Sequence, residues 1–480
     1  MNLSSAGESS NTAVRSNGYI WLISTVAALG GLLFGYDWVV IGGARAFFEA
    51  HFHIVSPVMS GWVNSCALIG CLLGAMISGA LSEKFGRKPI LTFAAVTFIV
   101  TSLGNGLAPD LNLFIIWRIL GGVAIGLASA LSPLYISETA PANLRGRLVS
   151  INQLTIVVGI LMAQIINWYI VRNLPGHASP AYIAHSWFGT TSWRWMFCLT
   201  AIPAACFFFG MLAIPESPRW LIKKGSTSKA KEVLSRIGGA DYAQAEIDDV
   251  TSSLARDTSS KVTLTQLISP RLRRVLILGI VLAVFQQWCG INVIFNYANS
   301  IFKSAGYDIA DTLKNIVMTG SMNLVFTLVA MRFVDISRRK LMLIGSLGLG
   351  IIYTSLGLGF FVHLQGLPML VLVLMAIGCY ASTLAPVTWV VISEIFPNSI
   401  RGAAVAVSVT ALWAASFVLT LTFPALNTYL GPAGTFWLYA VICISGFLFI
   451  LKSLPETRGK TLEQLEAELM PAARMEDYAP

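Results

Sequence analysis

The pattern Ser-Glu-x-x-Pro-x-x-x-Arg-Gly occurs twice in the chain, at Ser137 to Gly146 and at Ser393 to Gly402, each time directly after a long apolar segment. A repeat this widely spaced divides the chain into two halves. Apolar helices duplicated in parallel halves, with charged residues at matching edges, mark a two-lobed membrane architecture. Composition excludes a soluble alternative. Of the 480 residues, 55% are hydrophobic and 11% charged, whereas a soluble domain carries roughly 25% charged residues.

A helix needs about 20 apolar residues to cross the ~30 Å hydrocarbon layer. Gly, Pro and charge clusters divide the sequence into twelve such stretches, beginning near Tyr19, Ser60, Pro89, Leu111, Arg147, Trp193, Leu272, Ala310, Leu341, Leu367, Gly402 and Ala433. The predicted fold is all-α: twelve transmembrane helices in two six-helix lobes, residues 19–216 and 266–454. Residues 217–265 form a small helical linker, with amphipathic runs at Lys229 to Arg236 and Ala243 to Leu254. Tails of residues 1–18 and 455–480 flank the lobes. The N-terminus has no apolar core or cleavage site of a signal peptide.

Orientation follows from the basic residues. Roughly 26 of the 32 Lys and Arg fall on one side, with Arg45, Arg172, Arg194, Lys303 and Lys314 on the other and Arg118 inside a span, which places both termini in the cytoplasm. The net charge of +9 is spread over short clusters between apolar runs, a loop pattern and not a nucleic-acid face. Seven cysteines lie within apolar segments without paired spacing and read as buried thiols. No Ser/His/Asp arrangement, metal-ligand cluster or phosphate loop is present, so catalytic residues, metal and cofactor are all expected to be absent. The glycines of Gly345 to Gly350 lie within a span and suit close helix packing.

The repeat extends further. Gly79 to Lys88 is echoed by Val334 to Lys340, and Pro215-Glu216-Ser217 closes the first half as Pro455-Glu456-Thr457 closes the second. Topology is set by Lys and Arg and owes little to acidic residues, so glutamates recurring at these edges point to ion pairs that lock one conformation and release in another. The expected latch is Glu83, Arg87, Glu138, Arg145, Glu216 and Arg219 in the first half, with Asp335, Arg339, Glu394, Arg401 and Glu456 in the second.

Two charges sit inside spans. Asp37 lies about five residues from the outer end of the first span and Arg118 about seven from that of the fourth, so at 1.5 Å per residue both are roughly 8 to 10 Å deep. They can meet. A desolvated carboxylate binds its proton more tightly and a neighbouring guanidinium weakens that hold, so a pair that separates during a cycle takes up and releases a proton. A static ion pair fastening the two spans is the structural alternative. Amides and aromatics at membrane depth have the donors, acceptors and apolar faces that a ring of hydroxyls requires. These are Gln286, Gln287 and Asn292 in span seven, Asn323 in span eight, Trp389 in span ten, Trp413 in span eleven and Gln153 in span five.

With these motifs in hand, the chain resembles the sugar porters of the major facilitator superfamily, particularly the bacterial proton-coupled monosaccharide symporters. The resemblance runs over essentially the whole chain. It rests on Gly30 to Asp37, Gly79 to Lys88, Arg118 with Gly121, Gly122 and Gly126, Pro215 to Trp220, Gln286 to Asn292, Pro386 to Trp389, Ser393 to Pro397 and Pro455 to Lys460. It implies the major facilitator fold, a monosaccharide and a proton as partners in the lipid bilayer, a monomer, and residence in the inner membrane. It also makes Phe34, Ile160 and Tyr380 pocket walls and Asp37 the proton carrier. Departures from the family pattern are Asn296 before Tyr297, where two tyrosines are common, the loop Asp335 to Lys340 without its glycine, Thr200 in place of an acid, and Ile160. Isoleucine at 160 leans toward a hexose, glucose first, over a pentose such as xylose. An uncoupled facilitator and a transporter-like sugar sensor are the other readings.

Overall fold

A computed structural model describes residues 18–175, 180–257, 270–333, 337–396 and 401–456. Among these, twelve helices are long and apolar enough to cross a membrane. In the first half they are Gly18–His51, Pro57–Phe85, Arg87–Leu107, Leu111–Thr139, Arg145–Val171 and Phe188–Ala213. In the second they are Leu272–Asn296, Asp311–Arg332, Arg338–Phe361, Leu367–Ile392, Ala403–Tyr429 and Gly431–Ser453. They are spans one to twelve below. The face where span one begins is the terminal face, and the opposite one the far face.

Span one is longer than its sequence suggests. Arg45 reads as the end of an apolar run, yet the helix continues to His51, because Arg45 Nε reaches Glu49 Oε1 one turn on at 2.8 Å and its remaining donors bond Ser60 at 2.9 Å and Ser300 at 2.8 Å. A paired charge does not stop a helix.

The halves repeat in packing as well as in sequence. Span one lies against five, two against four and three against six, and in the second half seven lies against eleven, eight against ten and nine against twelve. The lobes meet through spans two and eleven and through five and eight, pairs that a pseudo-two-fold axis exchanges. Glycines set how closely helices approach. A Cβ on Gly122 would stand 1.9 Å from the Ala67 carbonyl oxygen and one on Gly70 would stand 2.0 Å from that of Ile119, so spans two and four touch backbone to backbone. Within span nine, a Cβ on Gly345 would stand 2.3 Å from Thr383 Oγ1. Gly122→Val should therefore abolish the folded peak on size-exclusion chromatography in detergent. Gly79→Ala, at a position open to 4 Å, should leave it intact.

Linker helices Pro218–Lys223, Thr227–Gly238 and Ala240–Asp257 follow span six. Ala230, Val233, Leu234 and Ile237 form the buried stripe of the second. The Arg236 guanidinium lies 4.9 Å over the Tyr19 ring, docking this helix on the start of span one. Residues 258–265 of the predicted linker and 457–480 of the C-terminal tail lie outside the described residues, as do residues 1–17. The cysteines differ from expectation in part: Cys206 is exposed and Cys198 and Cys379 are half-buried.

Candidate functional site

At the terminal face the acidic and basic residues form one cluster per lobe. In the first lobe, Arg87 Nε and Nη2 both reach the Glu138 carboxylate at 2.9 Å, with each side chain only 6% exposed. Arg87 also holds Glu83 at 2.8 Å, and Lys223 of the linker pairs with the same glutamate. Glu216 accepts from the backbone N–H groups of Arg87 at 3.1 Å and Lys88 at 3.2 Å, so it caps the first turn of span three, where the helix has unsatisfied donors. Burial raises the Glu216 carboxyl above the usual range, while those N–H groups pull it down.

The second lobe repeats this plan. Arg338 bonds Glu394 at 3.2 Å, with the two side chains 17% and 27% exposed. Glu456 accepts from the Arg338 backbone N–H at 3.1 Å and from the Ser337 hydroxyl, capping span nine as Glu216 caps span three. The expected partner Arg339 is not the pairing arginine. It donates to the Leu451 carbonyl at 2.7 Å instead, as Lys88 donates to the Leu212 carbonyl in the first lobe, because Ser337 caps span nine as Gly86 precedes span three and Arg338 therefore matches Arg87. Arg145 and Arg219 act on Glu246 of the linker. There burial raises the Glu246 carboxyl, and Tyr242 beside it is pushed up to about 12. Asp335 lies outside the described residues, and the side chain of Arg401 is not described.

Asp37 and Arg118 meet. Arg118 Nη1 donates to Asp37 Oδ2 at 2.9 Å, with the side chains 3% and 7% exposed, and the guanidinium lies 5.6 Å over the Phe197 ring. Counted from His51, Asp37 is about 14 residues from the helix end, near 20 Å, whereas Arg118 is seven residues from the start of span four at Leu111, so span one runs on past the end of span four at this face. Spans two and four pack closely at Gly122 and Gly126, one and two turns beyond Arg118, and that arginine sits within the first lobe against Asp37 of span one and Phe197 of span six. A small cavity adjoins the pair, lined by Trp38, Asn64, Cys71 and, from the second lobe, Asn296.

The amides of span seven form a connected chain. Gln286 Nε2 donates to the Tyr380 hydroxyl at 2.8 Å, Gln287 Nε2 donates to Gln286 Oε1 at 2.6 Å, and Asn292 Nδ2 donates to Gln287 Oε1. Both spans that carry this chain are interrupted beside it. Span seven breaks at Gly290, whose φ of 86° is left-handed and suits glycine, and span ten breaks at Thr383 between helices Leu367–Ser382 and Leu384–Glu394. Interrupted backbone at membrane depth is tolerated where it lines a cavity and is typical of substrate sites. Phe34 and Trp413 face each other across the lobes at 5.8 Å, and Trp38 completes the cluster at 5.8 Å from both.

Gln153, Ile160, Asn323 and Trp389 make no described hydrogen bond or ring contact with this cluster. Ile160 and Asn323 are buried, Gln153 is half-buried and Trp389 is 41% exposed. Sequence reasoning missed Trp38, one turn beyond Phe34, and Gln164, four residues beyond Ile160. Gln164 is 1% exposed and bonds Thr319 of the other lobe at 3.4 Å. Helical spacing from the chosen residues was the signal available for both.

The lobes are joined on the far half of the molecule. Asn299 Nδ2 donates to the Gly42 carbonyl at 2.6 Å, Arg45 bonds Ser300, and a Cβ on Gly61 would stand 2.2 Å from the Leu421 carbonyl oxygen. By contrast, the terminal-face pairs Arg87 with Glu138 and Arg338 with Glu394 each join helices of one lobe.

A family model for sugar (and other) transporters matches residues 23–469. The arabinose-proton symporter of Bacillus subtilis is 39% identical over 457 residues, covering 95% of this chain and 96% of that protein. The glucose transport protein of Synechocystis is 38% identical over 479 residues, covering 97% and 100%. The solved structure of the Escherichia coli xylose transporter in a partially occluded inward open conformation superposes with a TM-score of 0.81 at 35% identity, covering 93% of this chain and all of that one.

Proposed function

Because the chain belongs to the sugar transporter family of the major facilitator superfamily, and is thus a multi-pass membrane transporter and not an enzyme, we propose that it takes up a monosaccharide together with a proton. The buried contact between Asp37 and Arg118 carries this reading. A carboxylate within a span costs about 2.5–3.5 kcal/mol on insertion scales, and pairing with Arg118 offsets that cost only while the two stay together. Loading of Asp37 from outside, movement of the lobes and release to the cytoplasm then form one cycle. The excess of Lys and Arg on the terminal face supports cytoplasmic termini. The far-half contacts correspond to an inward-facing state in that orientation.

Sugar recognition falls to Gln286, Gln287 and Asn292, with Gln153, Asn323, Trp389 and Trp413 as further ligands and Phe34, Ile160 and Tyr380 as walls. In the chain from Asn292 to Tyr380 each amide satisfies the next, so a sugar hydroxyl replaces one of these bonds without leaving a buried group unpaired. Gln287→Ala leaves one hydroxyl and two neighbours unmatched, at about 1–3 kcal/mol. Transport Km should rise by about tenfold or more. An unchanged Km measured by initial uptake rates would remove Gln287 from the site.

The terminal-face clusters hold helix ends together within each lobe while the lobes move, which gives the proposed latch residues a stiffening role. An uncoupled facilitator is the second reading, favoured by Thr200 where an acid is otherwise found. Uptake of labelled glucose competed by a panel of hexoses and pentoses, with and without a protonophore, tests both sugar and coupling. The reading expects glucose, xylose or arabinose to compete best and the protonophore to abolish accumulation.

A further inference from the structure

Three atoms around the Asp37 cavity have no hydrogen-bond partner among the described residues: Asn64 Oδ1, Asn296 Oδ1 and Arg118 Nε. Their residues are 4%, 4% and 3% exposed. A buried polar group left unsatisfied costs about 1–3 kcal/mol, so three around one cavity call for a shared partner. The cavity has room for about one water molecule. A water there donates to both carboxamide oxygens and accepts from Arg118 Nε, which satisfies all three atoms with the usual number of bonds for a buried water. Asn64 is already oriented by its own Nδ2, which donates to the Ser60 carbonyl at 2.8 Å.

The two asparagines come from different lobes. Asn64 belongs to span two and Asn296 to span seven, and the backbone of span seven at Phe295 and Asn296 lies so close to span one that a Cβ on Gly42 would stand 2.7 Å from the Phe295 carbonyl oxygen. Asn296 therefore lines the Asp37 cavity only while the far half is closed. We infer that Asn64 and Asn296 hold a water site on Arg118 that ties the ion pair of the first lobe to the position of the second, making Asn296 a positioning residue for proton release. With the far half closed, the water anchors the guanidinium beside Asp37 and keeps the cavity polar, both of which favour the carboxylate. When the lobes part there, Asn296 leaves with span seven, the anchor on the guanidinium is lost, and the hold of Arg118 on Asp37 loosens as the cavity opens toward the outside. The titratable groups within electrostatic reach of the pair are Tyr36 of span one and Cys66 and Cys71 of span two. None of these comes from the second lobe, so Asn296 supplies that lobe's influence.

This inference rests on the proton-carrying role proposed for Asp37, and its test reads the carboxyl directly so that the two can fail separately. Infrared titration of the purified full-length protein, with the Asp37 band assigned by its loss in Asp37→Asn, gives the ionisation midpoint in wild type, Asn296→Leu, Asn64→Leu and Asn296→Ser. Both leucine variants should move the midpoint upward by about one pH unit, a tenfold gain in proton affinity. Asn296→Ser, which retains an acceptor oxygen, should return it toward wild type. A midpoint within about 0.2 units of wild type in both leucine variants, or a serine variant that behaves as leucine, overturns the water site. Failure of the coupling role shows elsewhere, as undiminished uphill uptake by Asp37→Asn, and leaves the carboxyl titration to judge the asparagines by itself.

Discussion

Asp37→Asn should reduce sugar accumulation against a gradient to simple equilibration while leaving exchange of labelled for unlabelled sugar within about threefold of wild type, a change below 1 kcal/mol in the barrier. The reasoning is electrostatic. Asparagine retains an oxygen that can accept from Arg118 at the 2.9 Å distance of the native contact, so the packing of spans one and four survives. What is lost is the group that changes charge. The Arg118 guanidinium also rests against Phe197, which offers some compensation for the lost carboxylate. Proteoliposomes loaded with unlabelled sugar measure exchange, and the same vesicles with an imposed pH gradient measure accumulation. Accumulation equal to wild type in Asp37→Asn would remove Asp37 from the coupling path.

Arg87→Leu should impair the protein far more than Arg338→Leu, although the two arginines occupy equivalent places in the repeat. Arg87 makes a two-pronged contact with Glu138, both side chains being 6% exposed, and also bonds Glu83 and the Ser82 carbonyl. Removing one partner of such a buried pair strands the other and costs about 3–5 kcal/mol. The Arg338 guanidinium reaches Glu394 through one bond of 3.2 Å at a more open edge, where an ion pair is worth less and approaches the ~1 kcal/mol of an exposed pair. Uptake rates per folded protein should fall by about a hundredfold or more for Arg87→Leu and by less than about tenfold for Arg338→Leu, with thermal stability in detergent ordered the same way. Equal losses would mean that the clusters act through their charge alone and that burial adds nothing.

The twelve spans were legible because lipid demands length and apolarity, and both are local properties of sequence. The meeting of Asp37 and Arg118 was legible for a different reason: an intramembrane charge requires a partner, and only Arg118 shares its depth class. The length of span one was misjudged. Arg45 marked a false end to span one, since nothing in the sequence tells that Glu49, Ser60 and Ser300 converge on it. The repeat located Glu216 and Glu456 as equivalent, but their work as caps on spans three and nine depends on three-dimensional placement of helix ends. Arg338 took the place expected for Arg339 because matching Lys88 with Lys340 set the repeat one residue out, whereas the caps Glu216 and Glu456 match Arg87 with Arg338. The breaks at Gly290 and Thr383 and the approach of Asn64 to Asn296 are likewise products of packing between segments far apart in the chain.

Coupled uptake is the central claim, and it is tested most directly by sugar accumulation in proteoliposomes carrying the purified protein, with an imposed inward pH gradient and the membrane potential clamped at zero. Labelled sugar should rise above its external concentration and fall back when a protonophore is added. Equilibration to the external concentration with no response to the gradient would contradict proton coupling and leave a facilitator in its place.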